Sequence, residues 1–408
     1  MSESESPSLI GRRKFLRYAS MAAAAAPILT EAHLAMAADA KTPTGLALHG
    51  QGPDRAPADA VLINANENPL GPCKTAIGAI TDITPMGGRY DLMGVNAELT
   101  ETIARIYGLK HENIALYAGS SEPLHYTVLA YTSPSRGLIV ADPSYEAPVA
   151  ATLTSGAKVT KVPLAADHAH DVKAMIAAAD ANTGVIYICN PNNPTGTTTT
   201  KQDIVWALEN KPKGSILLVD EAYIHLSDAE HAMDLVAAGK DLIVLRTFSK
   251  IYGMAGIRCG YAAGRPDLLA KLKPYGQNAM PVTAVVAANA SLMDKDLVPM
   301  RKKLIGDTRR DTIAWLRANG YKVIGDSQTN CFMIDAGREG KGVIAAMKAK
   351  NVWIGRTWPI WPNAVRVSVG TPAEMAKFKV AFKDVMSAPA MAYNGAAETG
   401  PQLYPHYS

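Results

Sequence analysis

From Gly137 onward the chain repeats one pattern, in which short apolar runs of strand length alternate with segments whose apolar residues recur at helical spacing. Gly137–Ala141, Ala157–Val162, Gly184–Cys189, Ser215–Val219, Asp241–Leu245 and Cys259–Ala263 read as strands, and Asp171–Ala179 and Gln202–Glu209 as helices between them. Upstream, Asn113–Ala118 reads as a further strand. Val95, Leu99, Ile103 and Ile106 put one apolar face on a helix from Val95 to Tyr107. Apolar runs separated by helices predict an α/β fold with a mostly parallel sheet covered on both faces. In such a sheet, functional groups gather at the carboxyl ends of the strands. Beyond Pro281 the pattern turns helical, through a long charged segment from Leu297 to Asn319. Strands at Tyr321–Ile324, Asn330–Ile334, Val352–Ile354 and Val365–Val369, with helices at Lys341–Lys350 and Pro372–Met386, then form a smaller α/β lobe. The expected division is a large domain at 61–290, whose first residues join the small lobe, and a small C-terminal domain at 291–387. Flanking pieces remain at 1–37, 38–60 and 388–408.

Its 408 residues, 48% of them hydrophobic, suffice for a large core in two lobes. A formal charge of +4 over that length is too dilute for a nucleic-acid footprint, and no basic stripe with interleaved aromatics occurs. Residues 1–37 hold four basic and three acidic side chains, a net +1 that leaves +3 for 38–408. Within this first segment, Arg12-Arg13-Lys14-Phe15-Leu16 precedes a mild apolar stretch, Tyr18–Leu29, and a small-residue site, Ala35-Met36-Ala37. The arrangement resembles a twin-arginine export signal, apart from Gly11 where that pattern usually has Ser or Thr. It implies the twin-arginine export machinery as a partner, cleavage after Ala37, and a periplasmic or otherwise exported mature protein. The apolar stretch is too short and alanine-rich to span a membrane, and no other candidate span follows, so no membrane anchor is expected in the mature form. Residues 38–60, rich in Pro and Gly, read as an irregular arm, and the residues from Pro389 as a loosely held tail. Cys73, Cys189, Cys259 and Cys331 lack metal-type spacing and read as buried free thiols.

Candidate chemistry concentrates in Thr247–Tyr261, TFSKIYGMAGIRCGY. An apolar strand delivers the chain to a glycine-flanked polar turn that holds Lys250 between Ser249 and Arg258. Cationic company disfavours a lysine's charged form, and the neutral amine is a nucleophile suited to a carbonyl partner. Taken alone, a Ser-Lys pair in such a turn is an ordinary surface lysine. Three other strand ends are as unusual: Asp142-Pro143-Ser144-Tyr145, the run Asn190–Gly196, and Asp220-Glu221-Ala222-Tyr223. Gly119-Ser120-Ser121-Glu122-Pro123 carries helix-start signals, and a helix N-terminus with free N–H groups and hydroxyls is a ready phosphate site, although plain capping has the same composition. Near the start, VLINANENPLGP places Asn64, Asn66 and Asn68 in a turn ahead of Pro69, where the amides serve either the turn's own backbone or a site.

NPNNPTG (Asn190–Gly196), VDEAY (Val219–Tyr223) and TFSKIYGMAGIRCGY, in this order and spacing, resemble fold-type I pyridoxal-phosphate aminotransferases. NANENPLGP, GGRYD and the RVSVG ending make the chain most similar to the histidinol-phosphate aminotransferase family, over roughly Val61 to Met386. The resemblance implies a mostly parallel seven-stranded sheet sandwiched by helices, with pyridoxal 5'-phosphate as cofactor and Lys250, Asp220 and Tyr223 as catalytic residues. Lys250 would carry the cofactor and then move a proton at the substrate α-carbon, while Asp220 would pair with the ring nitrogen and make the ring an electron sink. Tyr223 and Asn193 would bond the ring's phenolic oxygen, and Tyr145 would stack on its face. Ser120, Ser121, Ser249 and Arg258 would form the phosphate cup, completed by Tyr90 of a partner subunit, which implies a homodimer with shared active sites. Arg366 would bind the substrate α-carboxylate and Arg356 a second anionic group, with Asn66 also on the substrate side. The implied reaction moves an amino group from an amino acid or amine of histidinol-phosphate or aromatic type to 2-oxoglutarate as the 2-oxo acid acceptor. The same constellation leaves a lyase or decarboxylase, or a ligand-binding relative without turnover, as alternatives. Leu70, where the family commonly has a tyrosine, and the Gly119–Pro123 turn depart from the pattern. Trp358 and Trp361, just after Arg356, read as packing or as an apolar side-chain pocket.

Overall fold

The apolar runs at the centre of the large sheet each carry two sets of side chains, and the fold buries both. In the computed structural model the strands are β1 (Val61–Ile63), β2 (Ile114–Tyr117), β3 (Gly137–Asp142), β4 (Val159–Pro163), β5 (Thr183–Cys189), β6 (Ile216–Asp220), β7 (Leu242–Thr247), β8 (Gly260–Gly264), β9 (Lys322–Ile324), β10 (Cys331–Asp335), β11 (Val352–Ile354) and β12 (Ala364–Ser368). The structure describes residues 56–91, 93–276 and 278–390; the readings of 1–37 as an export signal, of most of the arm and of nearly all the tail lie outside the described residues.

Seven strands form one sheet in the order β2-β8-β7-β6-β5-β3-β4. β3 to β7 pair in parallel, while β8 is antiparallel to both of its neighbours, β7 and β2. The period of two is explicit in the packing: Leu138, Val140, Val185, Tyr187, Leu218 and Leu245 enter one core layer, and their chain neighbours Ile139, Ile186, Ile188, Leu217, Val219 and Val244 the other. All seven residues of β5 are buried, as a central strand covered on both faces requires. Helix Ser121–Tyr131 covers one face through Leu124 and Tyr131, and helices Val95–Tyr107 and Lys201–Asn210 contribute Leu99, Ile103, Ile204 and Ala207 to the other. The hydrophobic pattern did not announce the helices Lys74–Ile83 and Ala147–Ser155. The first buries a single side chain, Ala76.

The second set of elements is a three-stranded antiparallel sheet, β12-β10-β9, beside the parallel pair β1-β11. Residues beyond Pro281 fold as two helices, Val282–Met293 and Leu297–Ala318, parted at Asp294–Asp296. The last helix, Pro372–Ser387, starts at a capping box in which the Thr371 hydroxyl accepts the Glu374 N–H at 3.2 Å and Glu374 accepts the Thr371 N–H at 2.7 Å. Among the described residues no helix is long and apolar enough to cross a membrane. The parallel strands place Asp142, Cys189, Asp220 and Thr247 along one carboxyl edge of the large sheet. That edge holds the chemistry.

Candidate active site

A cavity of about 470 Å³ opens at this edge, with Lys250, Asp220, Tyr223 and Asn193 among its walls. Lys250 sits just past β7 in a turn closed by Thr247, whose hydroxyl donates to Ser249 Oγ at 2.9 Å and accepts the Ser249 N–H at 3.1 Å. Gly253 has φ +69°, and a Cβ there would stand 2.0 Å from the Gly71 carbonyl oxygen, so only glycine lets the NANENPLGP loop cross the turn. Asn68 Nδ2 and Arg301 Nη1 both donate to the Ile251 carbonyl at 3.0 Å, which ties that loop and the helix Leu297–Ala318 to the residue after the lysine. Lys250 is buried, its Nζ 5.3 Å from the centroid of the Tyr223 ring. Burial first, and the Arg366 guanidinium second, push its pKa down to about 8, with a smaller contribution from Arg258. The sequence credits this to Arg258; the fold assigns the larger effect to burial and to an arginine from β12.

A pH dependence follows. In the ligand-free protein Lys250 loses its proton near pH 8 when folded, against about 10.5 for an unperturbed lysine. Between those values the unfolded chain binds more protons, so stability rises with pH across the window, and below it the cost of the buried charge is felt in full. The urea midpoint of ligand-free wild type should therefore gain on that of Lys250→Met between about pH 8 and 10. A gap between the two proteins that stays constant with pH contradicts the burial argument.

Asp220 ends β6, fully enclosed, and accepts hydrogen bonds from the Tyr187 hydroxyl at 3.0 Å and the Ala222 N–H at 3.1 Å. Burial raises its pKa to about 6, against the pull of those two donors and of the Lys250 charge. Tyr223 is buried, which holds its phenol well above the usual value, and its hydroxyl accepts from Asn66 Nδ2 at 3.1 Å. Asn66, at φ +52°, is pinned by Ser368 of β12, whose hydroxyl accepts its N–H at 2.8 Å and donates to its Oδ1 at 2.9 Å. Arg366, 1% exposed, donates to Asn193 Oδ1 at 3.0 Å and to the Asn64 carbonyl at 2.7 Å. Its Nε has no partner, and no carboxylate of the described residues lies within ion-pair reach of its guanidinium.

Part of the cavity wall suits an anion. Ser120, Ser121, Ser249 and Arg258 line it where the helix Ser121–Tyr131 begins. Arg258, at φ +68°, adopts a conformation that costs a non-glycine residue roughly 1–3 kcal/mol. Its guanidinium donates to the carbonyls of Ala255 and Ala118, both at 3.0 Å, and to Ser249 Oγ at 3.3 Å. Gly119, at φ +94°, makes room for it, because a Cβ there would lie 2.3 Å from Arg258 Nη2. Tyr145 lines the same cavity, and burial lifts its phenol to about 12.

Four residues singled out in the sequence do not line this cavity. Tyr90 is 84% exposed and does not line the cavity. Arg356 forms an ion pair with Glu146 and lies over the Trp358 ring, 4.6 Å from its centroid. Trp358 is buried, its Nε1 donating to the Ser144 carbonyl at 3.3 Å, and Trp361 packs edge-on against His168, so both tryptophans are packing. Glu67 was missed although it lies in the quoted NANENPLGP motif; it lines the cavity, and its charge raises the pKa of Lys250. Also missed was a buried pair behind the site, Glu221 and Arg246, joined at 2.7 Å across the ends of β6 and β7. All four cysteines are buried and unpaired.

Comparison with known proteins places this geometry in context. The family model described as aminotransferase class I and II matches residues 58–382. The aromatic amino acid aminotransferase of Cutibacterium acnes is 33% identical over 337 residues, covering 81% of this chain and 93% of that protein. The histidinol-phosphate aminotransferase of Moorella thermoacetica is 31% identical over 345 residues, covering 81% of this chain and 86% of its own length. Among solved structures, the histidinol-phosphate aminotransferase of Sinorhizobium meliloti in complex with pyridoxal-5'-phosphate matches with a TM-score of 0.74 at 25% identity, covering 80% of this chain and 90% of that one.

Proposed function

The chain belongs to the class I and II aminotransferases, and from that membership we propose that it transfers the amino group of an aromatic or imidazole-bearing amino acid or amine to 2-oxoglutarate. The observation that carries the reading is Arg366: a buried guanidinium without a carboxylate, electrostatically coupled to a buried lysine at the sheet edge, asks for an anionic ligand beside an amine. The enzyme uses pyridoxal 5'-phosphate. The residues present fit that group: three serine hydroxyls, a helix N-terminus and the Arg258 fork suit a phosphate, and the glycine at 119 leaves the space a Cβ would fill. When bound, the cofactor supplies a carbonyl for amine exchange and a ring that accepts electrons from the substrate α-carbon.

The chain's own residues do the rest. Lys250, with its proton affinity lowered, takes up and returns the proton at the substrate α-carbon. Asp220 would keep a proton on the ring nitrogen, a pairing that would favour its ionised form over the neutral one that burial promotes. Tyr223, Asn193 and Tyr145, which line the cavity, would hold the ring, the first two at its phenolic oxygen and Tyr145 against its face. Arg366 holds the substrate α-carboxylate as a bidentate pair, with Asn66 setting Tyr223 beside it. The exposed Tyr90 serves a neighbouring copy's phosphate in a homodimer. Relatives named for aromatic amino acids and for histidinol phosphate support the donor class. The test is a donor screen of the purified protein with 2-oxoglutarate: turnover of aromatic amino acids or histidinol phosphate supports the reading, and turnover confined to acidic or aliphatic donors overturns it.

The export reading completes the proposal. Residues 1–37 send the folded protein through the twin-arginine route, and the mature chain begins near Ala38. Replacing Arg12 and Arg13 together by Lys should leave the protein in the cytoplasm with its leader attached. Cell fractionation that finds wild type and variant equally distributed removes this part of the reading.

A further inference from the structure

Arg356 and Arg366 are neighbours through the backbone, since the Gly355 N–H donates to the Arg366 carbonyl at 2.9 Å and the Arg366 N–H to the Arg356 carbonyl at 3.2 Å. Both guanidiniums address one indole, Trp358, at 4.6 and 5.6 Å from its centroid. They differ in what else they meet. Arg366 has no carboxylate of the described residues within ion-pair reach, although the Glu146 charge acts on it from further off, whereas Arg356 is held directly by Glu146. Glu146 follows the cavity-lining Tyr145 directly and stands at the start of the helix Ala147–Ser155. Its side chain takes no part in capping that helix. The charge of Arg356 reaches Tyr145 and Arg366, and both arginines lie over Trp358, so the pair adjoins the guanidinium to which the α-carboxylate is assigned. Arg356 Nε is buried without a partner, which leaves it donor capacity beyond the bond to Glu146.

We propose that Glu146 sets the class of donor side chain accepted, occupying Arg356 so that the site favours side chains without negative charge and admits a second carboxylate or a phosphate only by displacing Glu146. The proposal rests on the reading in which Arg366 takes the α-carboxylate. Side-chain exposures of 37% for Arg356 and 40% for Glu146 make this a rim pair, open to exchange and weakened by salt. Glu146 thus acts through Arg356, as a positioning residue.

Two acids that cannot react separate the ideas: glutarate, with a second carboxylate, and 3-phenylpropanoate, with an aromatic end. Calorimetric titration of the cofactor-loaded enzyme gives the ratio of their dissociation constants. Glu146→Gln, and independently Glu146→Ala, should move that ratio toward glutarate by about fivefold, the scale of an exposed ion pair. The shift should shrink with added salt. In an Arg356→Gln background the same Glu146 change should move the ratio no further. An unmoved ratio in both single variants, or an equal shift without Arg356, overturns the assignment of Glu146. If neither acid binds wild type, or if Arg366→Ala binds both as wild type does, the role given to Arg366 fails first and takes this inference with it.

Discussion

Lys250→Ala should lose transamination by on the order of 10⁴-fold or more, the scale on which removing a group that takes part in bond making acts. Among the described residues no second lysine lines the cavity, and the loop that carries Lys250 is fixed on both sides. Asn68 and Arg301 hold the Ile251 carbonyl, and Gly253 admits the Gly71 oxygen where any side chain would collide. A second measurement separates chemistry from misfolding. Borohydride treatment of the loaded wild type should fix the cofactor covalently on the peptide that contains Lys250, visible by mass spectrometry, and the variant should yield no such peptide. The variant should also fold at least as firmly without ligand below pH 8, since it removes a buried amine whose charge burial opposes. Turnover within tenfold of wild type, in a preparation free of it, would falsify the role assigned to Lys250.

Arg366→Ala should lower kcat/KM by roughly thirtyfold or more for every donor and for 2-oxoglutarate alike, because losing one partner of a buried, hydrogen-bonded charge pair costs about 2 kcal/mol or more. The effect is general because the residue is rigid: β12 fixes its backbone, and Asn193, the Asn64 carbonyl and the Trp358 ring fix its head. Arg366→Lys should recover only part of the loss, as a point charge cannot reproduce the two-pronged grip. A signature independent of substrate goes with it. Arg366 is the strongest cationic influence on Lys250, so in the ligand-free Arg366→Ala protein Lys250 should titrate at higher pH than in wild type. Loss for some donors but not others, with an unmoved lysine titration, would show that Arg366 supports structure only.

Much of this was written locally in the sequence. Alternate burial of β3, β5, β6 and β7 on two faces follows from apolar runs of strand length, since a side chain's face depends only on its place along its own strand. Asp220, Tyr223, Lys250 and the hydroxyls of Ser120 and Ser121 were legible because each sits where a strand gives out, and parallel strands give out along one edge. What tertiary structure alone decided are relations between distant segments. The reversed direction of β8 comes from its two neighbours, and its own run of small and apolar residues carries no mark of it. Arg366, rather than the nearby Arg258, weighs more on Lys250 because the fold brings β12 there, and a Coulomb interaction depends on distance through space and not along the chain. Trp358 became a platform under two arginines, and Glu146 found Arg356 across 210 residues of chain. Periodicity is imposed by each segment's own geometry and can be read one segment at a time, whereas ion pairs and electric fields exist only once the segments have met.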